Sequence, residues 1–245
     1  MIFKEKIVTR MEDFDSNGEM TWKAVVQLFE NVGSHYADRV GDSVIDGSFN
    51  GQAWILTEWK LEMLAKIPYM KEVYVETWSK GALNALLVER DYQLKDKEGN
   101  VLAKGVASFV LINTQKGRPE RITEDMVEKY APETIDVFDG RTFTRMKEAK
   151  EYPIEQEIMQ RRTDIDFNQH VHNLTYFDYV TELIPEELYR QQNFTQCRIA
   201  YRKAFEEGEK VIGKCLVEGN TVKIGFYGED QNVRTMVELA CEADG

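Results

Sequence analysis

Cysteine, histidine and basic charge are scarce in this sequence, and each shortage closes off a class of function. There are three cysteines and three histidines in 245 residues. Cys197, Cys215 and Cys241 are odd in number and lack CxxC spacing, which argues against a disulfide framework or a structural zinc site and fits a reducing compartment. Basic side chains number 31 against 43 acidic ones, a formal net charge of -12. Nonspecific binding to nucleic acid or to an anionic membrane needs the opposite excess to displace counterions. No apolar run approaches the roughly 18 residues of a membrane span. Met1 to Lys6 alternates apolar and charged residues without the apolar core of a signal peptide. The expectation is a cytoplasmic chain with no nucleic-acid partner and no membrane insertion. The G-x-S-x-G elbow of α/β-hydrolases and the G-x-x-x-x-G-K phosphate loop are also missing.

What is present is enough apolar sequence, 42% of residues, to build one large core or two small ones. Val25, Val26, Phe29, Val32 and Tyr36 recur at helical spacing and predict a helix over 22–39, with Thr21 as its N-cap. Strand-like runs follow at Trp54 to Leu61, Val73 to Trp78, Ala85 to Leu94 and Val101 to Ile112. The last two are joined through Asp96-Lys97-Glu98-Gly99-Asn100, a turn sequence. Asn113 to about Lys150 reads as a connector holding one short helix around Glu124 to Tyr130. Then the order repeats: a helical face of Tyr176, Tyr179, Val180 and Leu183, followed by strands at Cys197 to Lys203, Lys210 to Val217, Thr221 to Tyr227 and Val233 to Cys241.

The repeat is visible residue by residue. Asp13-Phe14-Asp15-Ser16-Asn17 matches Asp164-Ile165-Asp166-Phe167-Asn168 at three of five positions, an offset of 151. Glu72-Val73-Tyr74-Val75 corresponds to Lys210-Val211-Ile212-Gly213 at an offset of 138. The two offsets differ by 13 residues, and the glycine-rich stretch Gly41 to Gly51 is the expected place for that insertion. Two copies of one helix-plus-meander unit predict an α+β chain in which each helix is wrapped by an antiparallel sheet. Sheets joined edge to edge would cover otherwise open strand edges. The expected divisions are residues 1–130, a linker at 131–150, and residues 151–245.

Asp164 to Asn173 gathers two of the three histidines, two carboxylates and two asparagines. Positions 164, 166, 168, 170 and 172 share one side if the segment is extended. The plainer reading is a polar loop whose Asn173 or Asp166 caps the second helix. In the first copy Asp13, Asp15 and Asn17 persist, but Glu19 and Thr21 stand where His170 and His172 stand. The copy without histidine reads as structure and the copy with it as a site.

Asp166-Phe167-Asn168-Gln169-His170-Val171-His172-Asn173, followed by Tyr176, resembles the D-x-N-x-H-V-N-N motif of the acyl-acyl carrier protein (acyl-ACP) thioesterases of plants and bacteria. Glu89-Arg90-Asp91-Tyr92, Gly99 and Ser108 to Asn113 resemble that family's first-half meander. The resemblance implies a tandem double hotdog with two long helices. It also implies hydrolysis of fatty acyl thioesters in the second half, acyl-chain binding by the first, and no cofactor. Asp166, Asn168 and His170 fall on the family's active-site positions. A carboxylate or imidazole there can activate water while an amide donates to the carbonyl oxygen. Backbone N–H groups near Asn173, at the start of the second helix, would assist the developing oxyanion. Whether the acid or the imidazole takes the proton stays open. First-half lining is expected from Val25, Phe29, Val32, Trp54 and Trp59, each of which also reads as ordinary core. An acidic carrier protein would dock on local basic pairs, for which Arg161-Arg162, Arg145-Met146-Lys147 and Arg202-Lys203 are candidates. A homodimer is compatible with the resemblance.

Two features depart from the family. Its Glu-Cys pair is replaced by Ala204-Phe205 after Tyr201-Arg202-Lys203, and His172 stands where Asn is usual. Glu206 or Glu207 is a candidate to supply the acid, and the three cysteines read as small strand residues. Two other functions stay in view: a hotdog module that binds acyl thioesters without cleaving them, and a thioesterase acting on acyl-coenzyme A. A metal held by the His170-Val171-His172 pair with a nearby carboxylate is the remaining reading, with no metal expected.

Overall fold

The alternation of Phe3–Val8 forms a strand, β1, whose side chains are half-buried and exposed in turn. The sequence reading places no strand here, nor at Ile154–Ile158 (β7). Both are edge strands whose polar face leaves too few apolar residues to register as a strand run. The structure is a computed structural model describing residues 1–42, 51–140, 143–191 and 194–241. The expected insertion at Gly41 to Gly51 lies for the most part outside the described residues. Two units are distinguished, Met1–Thr142 and Phe143–Gly245.

In unit 1, helix α1 (Trp22–Arg39) starts as expected, with the Thr21 hydroxyl accepting the Ala24 N–H. Strands β2 (Gln52–Met63), β3 (Glu72–Ala82), β4 (Leu87–Lys95) and β5 (Val101–Asn113) follow. A two-residue strand, β6 (Arg118–Pro119), pairs with β5, and a short helix, α2 (Glu124–Glu128), follows it. The antiparallel order is β1-β3-β4-β5-β2. Val25, Phe29, Val32 and Tyr36, on the apolar face of α1, are completely buried. Phe29 stacks on Tyr92 at 5.1 Å and Trp59 sits 5.0 Å from Tyr92. Burial of each such ring is worth about 1.5–3 kcal/mol. The helix comes so close to β5 at Gly105 that a Cβ there would meet Leu61 Cδ2 at 2.7 Å and Phe29 Cε2 at 3.0 Å.

Unit 2 repeats the design: β7, α3 (Thr175–Leu183), α4 (Glu186–Gln191), β8 (Gln196–Tyr201), β9 (Val211–Glu218), β10 (Thr221–Tyr227) and β11 (Val233–Ala240). Its order, β7-β9-β10-β11-β8, is that of unit 1 position for position. Register confirms both sequence offsets at once. Val73 pairs with Ile7, and Val211 with Ile158.

One expectation is corrected. The second helix is not long: α3 has nine residues against eighteen in α1. Ile184 precedes Pro185, whose ring disfavours helical backbone in the residue before it, and Ile184 is extended at φ -66°, ψ 138°. A fresh short helix, α4, begins immediately beyond Pro185. The expected connector is divided in its contacts. Glu133 and Val137 donate backbone N–H groups to Ser79 O and Asp91 Oδ2 in unit 1. Thr144, Met146 and Glu148 bond Arg198, Arg202 and Tyr227 in unit 2.

Candidate active site

The segment 164–172 is a folded turn, not an extended strand, so its polar residues do not share one face. Arg162–Asp164 forms a 3-10 turn, Ile165 and Val171 make a β-bridge, and the chain between them reverses. Asp166 closes the reversal. Its Oδ1 accepts the N–H groups of Asn168 (2.8 Å) and His170 (3.2 Å), and its own N–H donates to His170 O at 2.8 Å. Gln169 takes up the positive φ (63°) that the reversal requires. Asn168 is exposed at the tip, and Asp166 and His170 are half-buried.

Asp164 is turned inward instead. It is 1% exposed, accepts from Arg161 N, Arg161 Nε and the Tyr179 hydroxyl, and belongs to the scaffold. Burial works to raise its carboxyl, but the Arg161 backbone and guanidinium and the Tyr179 hydroxyl outweigh that and hold it below the usual range. The capping expectation is also corrected. Neither Asn173 nor Asp166 caps α3; His172 Nδ1 accepts the Leu174 N–H at 3.1 Å. His172 is the counterpart of Thr21 in the repeat, but α3 begins three residues later, at Thr175, with Leu174 at its N-cap and no side-chain cap. The Asn173 carbonyl accepts from the Tyr201 hydroxyl.

The same turn exists in unit 1 without histidine. Asp15 Oδ1 accepts from Asn17 N and Glu19 N at 2.7 and 3.1 Å, Phe14 bridges Met20, and Gly18 has φ 75° where Gln169 has 63°. Backbone geometry is thus common to both copies, and the difference lies in side chains. Glu19 in unit 1 is ion-paired with Lys66. His170, its counterpart, bridges Glu206 through the backbone, and Val171 N donates to Phe205 O at 2.9 Å. Antiparallel partners carry their side chains on one face, so Glu206 is the acid placed across from His170.

The Glu206 backbone is held from both sides: its N–H donates to Glu209 Oε2, and Gln160 Nε2 donates to the carbonyls of Glu206 and Glu209. Sequence reasoning alone leaves Glu206 and Glu207 equivalent, because only the pairing distinguishes them. Phe205, in the family's Cys position, is fully buried. Burial pushes the Cys197 thiol up and the Cys215 thiol to about 11, which keeps both protonated and poor nucleophiles.

Val25, Phe29, Val32 and Trp59 are unit 1 core, and Trp54 is half-buried with Nε1 donating to Asp42 at 3.0 Å. Arg161 is committed to Asp164 and Asp178. Arg145, Lys147, Arg162, Arg202 and Lys203 are exposed, with Arg202 Nη2 donating to Met146 O. Among the described residues no helix is long and apolar enough to cross a membrane, and no group of three or more His, Cys, Asp or Glu is arranged to hold a metal.

Comparison with known proteins agrees with this division. The family model described as acyl-ACP thioesterase N-terminal domain matches residues 1–130, and that described as the C-terminal domain matches residues 147–242. The chain is 26% identical over 85% of its length to an oleoyl-acyl carrier protein thioesterase of Arabidopsis thaliana. It is 21% identical over 94% to a dodecanoyl-[acyl-carrier-protein] hydrolase of Cinnamomum camphora. It spans 62% and 63% of the length of these relatives, both named chloroplastic. The fold matches that of an acyl-ACP thioesterase from Bacteroides thetaiotaomicron with a TM-score of 0.86 at 19% identity, covering 98% of this chain and 97% of that one. For the 12:0-ACP thioesterase of Umbellularia californica the TM-score is 0.84 at 18% identity, covering 98% and 96%. With both halves matched in order and the repeat seen in both sequence and register, this chain belongs to the acyl-ACP thioesterase family.

Proposed function

We propose that the chain hydrolyses fatty acyl thioesters of acyl carrier protein, with the reaction at the Asp166 turn of unit 2 and the acyl chain held by unit 1. The observation that carries this reading is the pair of equivalent turns. One backbone geometry bears Asp, Asn and His in unit 2 and Asp, Asn and Glu in unit 1, and the copy with histidine is the one set against an acid, Glu206.

Asp166 uses Oδ1 to close the turn, which fixes the carboxylate and leaves Oδ2 outside those bonds. In the reaction proposed, Asp166, with His170 as proton-transfer partner, removes a proton from water. The water oxygen bonds the thioester carbon, and the Asn168 amide donates to the carbonyl oxygen as charge develops. The C–S bond then breaks, the sulfur receives a proton, and the products are the free fatty acid and the carrier thiol. Glu206, cross-strand from His170, supplies the acid that the family carries at the position of Ala204. Direct nucleophilic attack by Asp166 is the variant of this scheme in which water enters at the second step. Val25, Phe29, Val32, Trp54 and Trp59 are the residues we assign to the acyl side.

The replacement of Glu-Cys by Ala204-Phe205 favours a second reading, a module that binds acyl thioesters without cleaving them. Release of thiol from a panel of carrier-bound acyl thioesters, with the same chains on coenzyme A, separates the readings. Turnover that falls at least a hundredfold in Asp166→Asn supports the hydrolase. Turnover within a few-fold of wild type removes Asp166 from the mechanism, and binding without any turnover supports the module. A preference for coenzyme A thioesters would reassign the substrate.

A further inference from the structure

Behind the candidate site the interiors of the two units differ. The hydrogen bonds of Leu64 N and Ala65 N to Leu102 O in unit 1 are repeated by Arg202 N and Lys203 N to Arg234 O in unit 2. Leu102 and Arg234 are therefore structural counterparts, as are the next residues, Ala103 and Thr235, which pair with Met63 and Tyr201. On the helices, Val25 stands at the position of Tyr176. Unit 1 fills this place with Val, Leu and Ala, and unit 2 fills it with Tyr, Arg and Thr.

All three polar side chains are buried: Tyr176 is 1% exposed, Thr235 0% and Arg234 5%. Arg234 Nη2 reaches Glu209 at 3.4 Å and Asp230 at 3.3 Å, its Nε and Nη1 have no hydrogen-bond partner, and the Tyr176 hydroxyl lies against Thr235 and the Phe205 backbone. The unit 1 solution shows that the fold does not require this arrangement. An enclosed guanidinium with only two long ion pairs is costly to desolvate, so its place in the core calls for a reason other than stability.

What Arg234 touches is the 202–209 segment that backs His170. Its carbonyl takes two N–H groups from the start of that segment, its guanidinium holds Glu209 at the end, and its plane lies 5.6 Å from the Phe205 ring centroid. Phe205 O accepts the Val171 N–H, Glu206 bridges His170, and Glu209 accepts the Glu206 N–H. We propose that Arg234 is a positioning residue of the thioesterase site, which fixes the 205–209 segment and through it the placement of Glu206 against His170. The inference rests on the assignment of the reaction to the Asp166 turn.

The test uses the full chain, with thiol release from an acyl-ACP that the wild type cleaves. Arg234→Leu installs the residue of unit 1 and leaves Glu209 and Asp230 able to turn to water. It is expected to keep or raise the thermal midpoint, lower kcat at least tenfold and change KM less than threefold. Arg234→Lys should restore part of kcat, and Glu209→Gln should lower kcat in the same direction with a smaller effect. A kcat for Arg234→Leu within twofold of wild type overturns the proposal. If that variant does not fold, a Glu209→Gln protein with unchanged kcat overturns it instead. Asp166→Asn, run beside them, reads the underlying assignment separately. Its collapse together with an intact Arg234→Leu overturns the positioning role alone, and activity surviving in Asp166→Asn removes the assignment on which that role rests.

Discussion

Asp91 lies on β4 with no exposed surface, and its Oδ2 accepts the Val137 N–H at 3.0 Å while Oδ1 has no partner. Burial raises its carboxyl to about 7, an effect that nearby Lys80 only partly offsets. Between about pH 4, where the unfolded chain titrates, and pH 7, the native protein binds the extra proton, so stability falls as pH rises through that window. Asp91→Asn keeps an acceptor for Val137 and does not titrate. Its stability relative to wild type is therefore expected to improve from pH 5 to pH 8 by on the order of 1 kcal/mol or more, read from urea melts at the two values. Parallel pH dependence in the two proteins would contradict this.

Asp91, Arg234 and Asp164 are all polar residues whose burial the sequence does not announce. The Asp166 to Asn173 cluster stands out by residue type alone, and the asymmetry between His170 and Glu19 is visible by matching the repeats. The sequence did not reveal that Asp164 belongs to the scaffold, because the alternation argument assumed extended backbone where a 3-10 turn redirects the chain. The choice of Glu206 over Glu207 depends on a backbone bridge spanning 36 residues of sequence, which no local pattern encodes.

Elements were more legible than residues. Helix α1 and most strands with long apolar faces lie within two residues of their expected limits, since their periodicity is strong, while β3 runs four residues past Trp78 to Ala82. Strands β1 and β7 escaped because an edge strand buries only one side, and α3 came out short because Pro185 outweighs the apolar face that would continue it. The N-cap of α1 is a single hydroxyl, Thr21 Oγ1 to Ala24 N at 3.1 Å. Thr21→Ala is expected to lower stability by about 1 kcal/mol, with Thr21→Ser close to wild type. Equal losses in both variants would assign the effect to the Thr21 methyl group instead of to the cap.

For the molecule as a whole, a net charge of -12 works against association with an acidic carrier unless positive charge is concentrated locally. Arg161, already bound to two carboxylates, is poorly placed to serve; the exposed Arg202-Lys203 pair is the better candidate. Reversing both to Glu is expected to raise KM for carrier-bound substrates several-fold at low ionic strength, with little change for coenzyme A thioesters. The difference should shrink as salt approaches 0.5 M, where screening shortens to about 4 Å. Equal effects on both substrates would move the docking surface elsewhere.

The turn that Asp15 and Asp166 each close has a wider meaning for how such a molecule changes. Its backbone accepts Asp-Ser-Asn-Gly-Glu-Met in one copy and Asp-Phe-Asn-Gln-His-Val in the other with nearly the same hydrogen bonds. The loop thus behaves as a socket into which reactive groups can be fitted or from which they can be withdrawn without rebuilding the frame, and the copy without histidine is a built-in blank against which the proposed site can be compared.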